Sequence, residues 1–425
     1  MSRYVSTLVD DPLYGTFDIR SILSIVETRE FQALAEKRQL GMSHLVFRNA
    51  RHTRLEHSLG AYRATRTLTN RLVADGCITK DHQQALCVYA VLHDIGHPAF
   101  SHVTEDFCAR DDDQQTLELV KWRLRGPVAQ CGVDLNLICD LISHQNPLYR
   151  IVHDKNLGME KLDYLERDGK SVGFGCPPGL GAVRNQVFYI DGHMAIDEKI
   201  VDHTIDILNF YMKMYKEVYF RKALVIAQRM FQKGVHHLIL NGTLSPDNLY
   251  DMTDPELVGR MSLSDDPVVM QMYQRLRERR LFKEAVVIRP AQYECETRIA
   301  GKPITVRGID PDHMRLLVES PTLQKKSHAM LEDLESVIAR AAGLPPNTVL
   351  IVPVFNPERF KAQDVMIRGS DGNLHSLRER RPAQFAGMEE TARAYTALRI
   401  CTTPAYREAL SRAADTVLEI VMAFA

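Results

Sequence analysis

Through most of the first 290 residues, apolar residues recur every three or four positions, which is the period of one face of an α-helix. A glycine, a common helix stop, closes three of these stretches. They are DIRSILSIVETREFQALAEKRQLG, HSLGAYRATRTLTNRLVADG and DHQQALCVYAVLHDIG. The stretch VDHTIDILNFYMKMYKEVYFRKALVIAQRMF is long enough for one extended helix or two joined ones. The pattern predicts an all-α domain over residues 1–294.

The pattern changes in the last third of the chain. KPITVRGI and NTVLIVPVF are rich in β-branched residues and predict strands. DVMIRGSDGNLHSL predicts two short strands around a turn at Asp371 and Gly372. TPAYREALSRAADTVLEIVMAF returns to helical spacing. We therefore predict a smaller mixed α+β C-terminal lobe over residues 295–425, in a chain that is mainly α.

Composition narrows the class of protein. Hydrophobic residues make up 45% of the 425 residues and charged residues 25%, as in ordinary globular proteins. The net charge of -1 carries no bulk basic signal for nucleic acid. Eight cysteines without a CxxC pair indicate reduced thiols rather than a disulfide framework. We find neither a signal-peptide pattern nor an apolar run of membrane-spanning length, so we expect a cytoplasmic protein without a membrane partner.

The segment VLHDIGHPAFSH holds the densest group of chemically active side chains. Gly96 and Pro98 disfavour a continuous helix, so His93 and Asp94 are predicted to end a helix and His97 to begin a loop. The preceding residues ALCVYAVL are nearly all apolar, which indicates that this helix end is buried. Burying an imidazole beside a carboxylate costs desolvation free energy unless a partner compensates the charge. The segment therefore indicates a divalent cation site.

Two other segments have similar residues. RHTRLEHSLG places Arg54 near His57, and its arginines suit either a phosphate or a solvated basic face. RIVHDKN contains a second His-Asp pair, His153 and Asp154, without further histidines around it. We predict a solvated turn without a functional role there.

Five segments together resemble a known family. FQALAEKRQLG, LVFRNARHTRLEHSLG, VLHDIGHPAFSH, EKLDYLERDG and MYKEVYFRK occur in the order and approximate spacing of the HD-domain metal-dependent phosphohydrolases. Within that family the chain is most similar to the deoxynucleoside triphosphate triphosphohydrolases. The resemblance implies a helical HD-domain core and a divalent metal cofactor (Mg, Mn, Fe, Ni, Co or Zn). It also implies hydrolysis of deoxynucleoside triphosphates to deoxynucleoside and inorganic triphosphate.

The resemblance also assigns residues to roles. The implied metal ligands are His57, His93, Asp94 and Glu160. The implied catalytic residues are His97, His102, Arg54 and Asp112, with His102 as the proton-transfer group. The implied substrate-binding residues are Arg54 and Lys161 for phosphate, and Gln39, Tyr164 and Asp168 for the sugar.

Two positions depart from the family pattern. Glu160 stands where the family has an aspartate, and its side chain is one methylene longer. Asp112 stands where the family has a further histidine, and a carboxylate repels a triphosphate unless a second cation intervenes. Two alternatives to triphosphate hydrolysis therefore stay open. One is a phosphohydrolase or phosphodiesterase acting on another nucleotide or on single-stranded nucleic acid, and the other is a catalytically weak nucleotide-sensing scaffold.

Partners are expected mainly from the resemblance. It implies a nucleotide substrate, an effector nucleotide and a homo-oligomer, either a dimer or a tetramer. The basic runs at 275–283 and 378–382 suit a solvated face, an effector nucleotide or a nucleic acid, and the sequence alone does not favour the last.

Overall fold

The computed structural model describes residues 7–297, 299–354 and 363–425. It is 59% helical with small sheets, which confirms the predicted mainly α fold with some β structure. The α-helices are α1 (Leu23–Val26), α2 (Arg29–Gln32), α3 (Arg54–Ala74), α4 (Lys80–Leu92), α5 (Asp112–Lys121), α6 (Arg125–Gln130), α7 (Leu135–Ile142), α8 (Arg150–His153), α9 (Met159–Ser171), α10 (Leu180–Gln186), α11 (Val201–Met214), α12 (Lys222–Leu240), α13 (Asn248–Asp251), α14 (Asp254–Ser262), α15 (Pro267–Arg277), α16 (Pro311–Glu319), α17 (His328–Ala341), α18 (Leu377–Arg380), α19 (Pro382–Ala394), α20 (Arg407–Arg412) and α21 (Ala414–Phe424).

The strands form one two-stranded and two four-stranded sheets. They are β1 (Leu8–Asp11), β2 (Gly15–Asp18), β3 (Val187–Ile190), β4 (His193–Asp197), β5 (Lys283–Pro290), β6 (Thr305–Ile309), β7 (Val349–Val352), β8 (Met366–Arg368), β9 (Leu374–Ser376) and β10 (Leu398–Thr402). The four-stranded sheets have the orders β3-β4-β8-β9 and β6-β5-β10-β7. The strands predicted from KPITVRGI, NTVLIVPVF and DVMIRGSDGNLHSL are all present, as β6, β7 and the β8–β9 pair.

One predicted helix differs from the structure, and a second stretch takes one of the two forms that the sequence left open. The stretch that ends at Gly41 is broken into short turns, because Thr28 caps a new helix by accepting a hydrogen bond from the Phe31 backbone N–H. The long stretch between residues 201 and 240 is two helices, α11 and α12, joined through a π-helical turn at Tyr215–Tyr219. The hairpin of β3 and β4 was not predicted.

The chain divides into two compact units. The first comprises Met1–Met214, Asp247–Leu257 and Ala362–Phe385, and the second comprises Tyr215–Pro246, Val258–Lys361 and Ala386–Ala425. The predicted boundary after residue 294 falls inside the second unit. The physical reason is that β5, which precedes residue 294, pairs with β6 and β10, and α12 packs against β7. β8 pairs with β4 in parallel and so belongs to the first unit.

The first unit is built around α3, α4 and α9. All residues of α4 from Ala85 to Leu92 are buried, as expected for a helix that is apolar on every side. α3 packs against both α4 and α9. Gly60 of α3 faces the side chains of Asp163 and Arg167 on α9, where a Cβ atom would overlap them. The glycine therefore allows the close approach of these two helices.

The second unit has its own core. The sheet β6-β5-β10-β7 packs against α17, α20 and α21. α12 packs against α15 and β7 within the same unit. The core also contains a buried charge group in which Lys233 Nζ lies 2.7 Å from Glu335 Oε2 and Arg229 Nη2 lies 3.5 Å from Glu335 Oε1.

Two sequence expectations concern the whole chain. All eight cysteines are free thiols. Among the described residues, no helix combines the length and the apolar character needed to cross a bilayer.

Candidate active site

Three helix ends in the first unit deliver the predicted metal ligands. His57 lies in the first turn of α3, whose start is fixed by a capping box between Thr53 and Glu56. His93 follows the last residue of α4, and Asp94 comes directly after it, as the break at Gly96 and Pro98 predicted. Glu160 is the second residue of α9. The helix ends thus place four side chains from distant parts of the sequence in one buried region.

The two imidazoles face each other through Nε2. Nδ1 of His57 donates to Asp163 Oδ2 at 2.8 Å, and Nδ1 of His93 donates to the Ala90 carbonyl at 2.8 Å. In a neutral ring the other nitrogen then carries a lone pair. The two Nε2 atoms lie only 3.1 Å apart. Two lone pairs at that distance repel each other, so the arrangement requires a cation or a proton between them.

Carboxylate oxygens surround the same point. Asp94 Oδ2 lies 3.7 Å from His57 Nε2, Asp94 Oδ1 lies 3.5 Å from His93 Nε2, and Glu160 Oε2 lies 3.9 Å from His57 Nε2. One donor atom each of His57, His93 and Glu160 lies within 4.8 Å of the others. Imidazole nitrogen with carboxylate oxygen suits divalent ions such as Zn, Fe, Mn, Co or Ni. The cluster can therefore hold a divalent metal ion, and the donor set leaves its identity open.

The electrostatics of the cluster point the same way. Burial, and then the charge of Asp94, raise the pKa of Glu160 well above its usual value. Burial is also the main reason that the pKa of His93 is lowered to about 4. A buried site that disfavours both a carboxylate and an imidazolium is stabilised by a metal ion, which compensates the negative charge and binds neutral histidine.

Asp163 orients one of the ligands. Besides His57, it accepts hydrogen bonds from Arg167 Nε at 3.1 Å and from Arg167 Nη2 at 3.0 Å. Burial raises the pKa of Asp163, but Arg167 and His57 outweigh burial and hold it below its usual range. Asp163 is therefore an ionised partner of the ligand rather than a substitute for Glu160.

A second group of side chains follows along the loop. His97 Nε2 lies 3.2 Å from Asp94 Oδ1 and 3.1 Å from Asp112 Oδ2, and His97 Nδ1 lies 3.1 Å from Glu105 Oε1. Burial lowers the pKa of His97, but the surrounding carboxylates outweigh burial and raise it to about 9. His102 Nδ1 lies 2.8 Å from Glu105 Oε1, and its side chain is 69% exposed. One donor atom each of His97, His102 and Glu105 also lies within 4.8 Å of the others. Because a protonated His97 has no free lone pair, this group binds a proton rather than a metal ion.

The loop after α4 has an uncommon backbone conformation at Phe100 and Ser101. Phe100 and Ser101 both have positive φ values, 60° and 48°, which are uncommon outside glycine. The Phe100 backbone N–H donates to Asp254 Oδ1 at 2.7 Å, which holds the turn. A Cβ atom on Gly96 would overlap the backbone of Asp112 and Thr116, so this glycine lets α5 approach the loop. The close approach brings Asp112 to His97.

The two predicted phosphate-binding cations are engaged within the first unit. Arg54 is 2% exposed, its Nη1 lies 2.6 Å from Asp94 Oδ2, and its Nε donates to Ser101 Oγ at 2.6 Å. Lys161 Nζ donates to the Lys155 carbonyl and lies 3.4 Å from the centre of the Tyr211 ring. Burial lowers the pKa of Lys161 to about 7.

The three predicted sugar-binding residues lie in the same unit. Asp168 Oδ1 lies 2.7 Å from His52 Nε2, and the Gln39 backbone N–H donates to the His52 carbonyl at 3.1 Å. The buried Oε1 of Gln39 has no hydrogen-bond partner among the described residues. The Tyr164 ring lies 6.1 Å from the His57 ring. His52 thus connects two of these residues, a role that the sequence did not indicate.

His153 lies at the end of α8 rather than in the predicted turn. Its side chain is 43% exposed, as a solvated position implies, but its Nδ1 lies 3.4 Å from Glu160 Oε1 and its ring stacks on that of His144 with the centroids 5.4 Å apart. Burial lowers the pKa of His153. The turn begins at Asp154, which accepts hydrogen bonds from the backbone N–H groups of Asn156 and Leu157. The sequence offered one signal for the contact of His153 with Glu160, since the second His-Asp pair lies only a few residues before Glu160.

The chain is similar to several HD-domain proteins. The family described as the HD associated region matches residues 183–310. A putative HD domain-containing protein of Acanthamoeba polyphaga mimivirus is 28% identical over 63% of this chain and 66% of its own length. A deoxynucleoside triphosphate triphosphohydrolase SAMHD1 homolog of Dictyostelium discoideum is 22% identical over 66% of this chain and 60% of its own length. The chain spans about three fifths of the length of these two curated relatives.

Solved structures share the fold. A phosphohydrolase from Bacteroides thetaiotaomicron has a TM-score of 0.70 and 21% identity, covering 94% of this chain and 100% of its own. A hypothetical protein from Aquifex aeolicus has a TM-score of 0.70 and 19% identity, covering 95% and 98%. The chain therefore resembles the HD-domain phosphohydrolases, and among its relatives are proteins of the deoxynucleotide-hydrolysing branch.

Proposed function

We propose that this chain is a divalent-metal-dependent phosphohydrolase that cleaves deoxynucleoside triphosphates into deoxynucleoside and inorganic triphosphate. The observation that carries the proposal is the convergence of the His57 and His93 Nε2 atoms, 3.1 Å apart, with the Glu160 carboxylate beside them. The similarity to HD-domain proteins and to a SAMHD1 homolog supports the reaction class.

His57, His93, Asp94 and Glu160 would hold the metal. When bound, a divalent ion supplies Lewis acidity to a phosphoryl oxygen and lowers the pKa of a water molecule. The protein's own part begins with tautomer control, since Asp163 and the Ala90 carbonyl keep each Nδ1 protonated. The ligand nitrogens are thereby preorganised for coordination.

His102 is the proposed proton-transfer residue. Its Nδ1 lies 2.8 Å from Glu105 Oε1, and that carboxylate orients the ring as an acid orients histidine in other hydrolytic sites. Its exposed imidazole would give a proton to the 5′ oxygen as the bond from that oxygen to the α-phosphorus breaks. The new bond forms between the α-phosphorus and the oxygen of water. The proton that this water loses passes to solvent, from which the exposed His102 regains its own.

Positive charge for the phosphates would come from His97, Arg54 and Lys161. His97 carries a proton at neutral pH, because its pKa is raised to about 9 by the net effect of its carboxylate neighbours against burial. For Arg54 to bind phosphate, it must exchange its contact with Asp94 for one with the substrate. Guanidinium and phosphate match in geometry, which makes that exchange favourable.

Gln39, Asp168 and Tyr164 would bind the sugar. The unpartnered Oε1 of Gln39 is an acceptor suited to a hydroxyl group of the substrate. Asp168 is held by His52 and would accept from the 3′-hydroxyl. Tyr164 would pack against C2′ and exclude a ribose hydroxyl.

The test is a product assay on the full chain with manganese present. The substrates are the four deoxynucleoside triphosphates, the corresponding monophosphates and a single-stranded oligonucleotide, and free triphosphate, phosphate and nucleoside are each quantified. We expect inorganic triphosphate with the parent chain and none with His57→Ala. Its absence for every deoxynucleoside triphosphate would contradict the proposal.

One observation favours a second candidate, hydrolysis of a nucleotide with fewer phosphates. Asp112 Oδ2 lies 3.1 Å from His97 Nε2, so a carboxylate occupies a position beside a proposed phosphate contact. Like charges within a few ångströms repel. Release of phosphate from monophosphates without any inorganic triphosphate in the same assay would favour this candidate. The effector nucleotide and the homo-oligomer stay predictions from the resemblance.

A further inference from the structure

The fourth metal ligand poses a geometric problem. Glu160 has a long, flexible side chain, which loses rotamer entropy when it is fixed. A glutamate that rotates freely would therefore ligate weakly. In the structure its two oxygens have different neighbours, since Oε2 lies 3.9 Å from His57 Nε2 and Oε1 lies 3.4 Å from His153 Nδ1.

His153 is itself held in place. Its ring stacks on the His144 ring with centroids 5.4 Å apart and planes 20° apart. His144 in turn stacks on Tyr149 at 4.2 Å and 24°. His144 thus contacts both of the other rings, and His153 lies beside Glu160. A ring packed in this way has few accessible rotamers, so its Nδ1 atom has a defined position.

The connection between α8 and α9 fixes the two residues relative to each other. His153 is the last residue of α8, and Glu160 is the second residue of α9. Asp154 accepts hydrogen bonds from two backbone N–H groups of the intervening turn, at 2.9 and 2.8 Å. A Cβ atom on Gly158 would overlap the Val152 carbonyl and the Asp154 backbone, so the turn closes tightly only with glycine there.

We propose that His153 is a positioning residue for the metal site: through the contact of its Nδ1 with Glu160 Oε1, 3.4 Å away, it presents Oε2 to the metal. This inference deepens the proposed metal-dependent function and rests on it. Outer partners of metal ligands commonly contribute a factor of about 10–100 to metal affinity.

The variant His153→Phe separates stacking from hydrogen bonding, because phenylalanine keeps the ring and removes the donor. We expect metal affinity of the full chain, measured by competition with a chelating dye, to fall by about tenfold. His153→Gln restores a donor without the ring and should recover part of the loss. The matched control is His193→Phe, since His193 lies exposed at the start of β4 and should leave affinity unchanged.

A double-mutant cycle with Glu160→Asp gives the decisive readout. An aspartate no longer reaches His153, so adding His153→Phe to Glu160→Asp should cause little further loss. Equal losses in both backgrounds, or unchanged affinity in His153→Phe, would overturn the inference while leaving the proposed function standing. Absence of metal binding by the parent chain would instead overturn both. Circular dichroism and thermal melting of each variant check that the chain is folded.

Discussion

Each histidine of the metal cluster has a different acceptor at Nδ1. His57 donates to the Asp163 carboxylate and His93 to the Ala90 backbone carbonyl. Both partners leave Nε2 as the ligand atom, but only the carboxylate adds negative charge to the ring and raises its basicity. The two ligands should therefore respond differently to changes in their partners.

Replacing Asp163 with asparagine should weaken metal binding by about 10–100-fold. The amide keeps the shape of the side chain but loses the charge that orients His57 and pairs with Arg167. Arg167 keeps a second partner in Asp11, at 3.0 Å, which should preserve the fold. Metal affinity by competition titration checks this. Asp202→Asn is the control, because Asp202 is almost fully exposed, and equal affinity of all three proteins would contradict the assigned role.

Between elements, the packing of α3 on α9 depends on a missing side chain. Gly60→Ala adds a Cβ atom that would overlap Asp163 and Arg167, both buried and bonded to each other. Alanine favours a helix over glycine by about 1 kcal/mol. Overpacking of a buried contact costs about 1–3 kcal/mol, so the net effect should be destabilising.

Urea denaturation of Gly60→Ala measures this effect, with Gly259→Ala of α14 as the matched control. Gly259 has open space where its Cβ would lie, so the same substitution should stabilise by up to about 1 kcal/mol. An unchanged or increased stability of Gly60→Ala would show that the two helices can separate without cost.

In the second unit, one carboxylate connects α12 to α17. Glu332 Oε1 lies 2.9 Å from His236 Nδ1, and Glu332 Oε2 lies 3.0 Å from His237 Nε2. Burial raises the pKa of Glu332, but these hydrogen bonds and Lys233 outweigh burial and lower it. The hydrogen bond to Glu332, with smaller help from Asp266, raises the pKa of His237. The contact is therefore strongest when the carboxylate is ionised and the histidine is protonated.

These pKa shifts predict that the contact between Glu332 and His237 stabilises the fold most within a limited range of pH. The Glu332 contribution is present above the unfolded pKa of about 4.3 and is lost as the pH falls towards its lowered folded pKa. The His237 contribution is present below the unfolded pKa of about 6.5 and is lost as the pH rises through its raised folded pKa. Glu332→Gln should therefore reduce the urea midpoint most between about pH 4.5 and 6.5. A difference that does not vary with pH would exclude this ionic contact.

For the whole molecule, metal binding should appear as thermal stability. A ligand at 100 times its dissociation constant stabilises the folded state by about 2.7 kcal/mol when it does not bind the unfolded chain. Manganese or zinc should raise the melting temperature of the parent by several degrees, and EDTA should reverse the rise. Differential scanning calorimetry measures this. His57→Ala should show no such rise, and an equal rise in both proteins would place the binding elsewhere.

Local patterns in the sequence indicated many of the helices, the strands β6, β7, β8 and β9, and the ligand types. The end of α4 at His93 could be predicted because Gly96 and Pro98 act on their nearest neighbours. The hairpin of β8 and β9 could be predicted for the same reason, from the turn at Asp371 and Gly372. The resemblance then added four ligand positions, among which the structure brings His57, His93 and Glu160 together, with Asp94 beside them.

Only the tertiary structure decided which partners these residues have. The pairing of Asp163 with His57, of Asp112 with His97 and of His153 with Glu160 depends on how the helices pack. The return of β8 to β4 likewise depends on pairing between strands about 170 residues apart in sequence. Local chemistry thus determined which groups could serve in the site. Long-range packing, which one sequence does not encode in any short pattern, decided the contacts that set their charge and orientation.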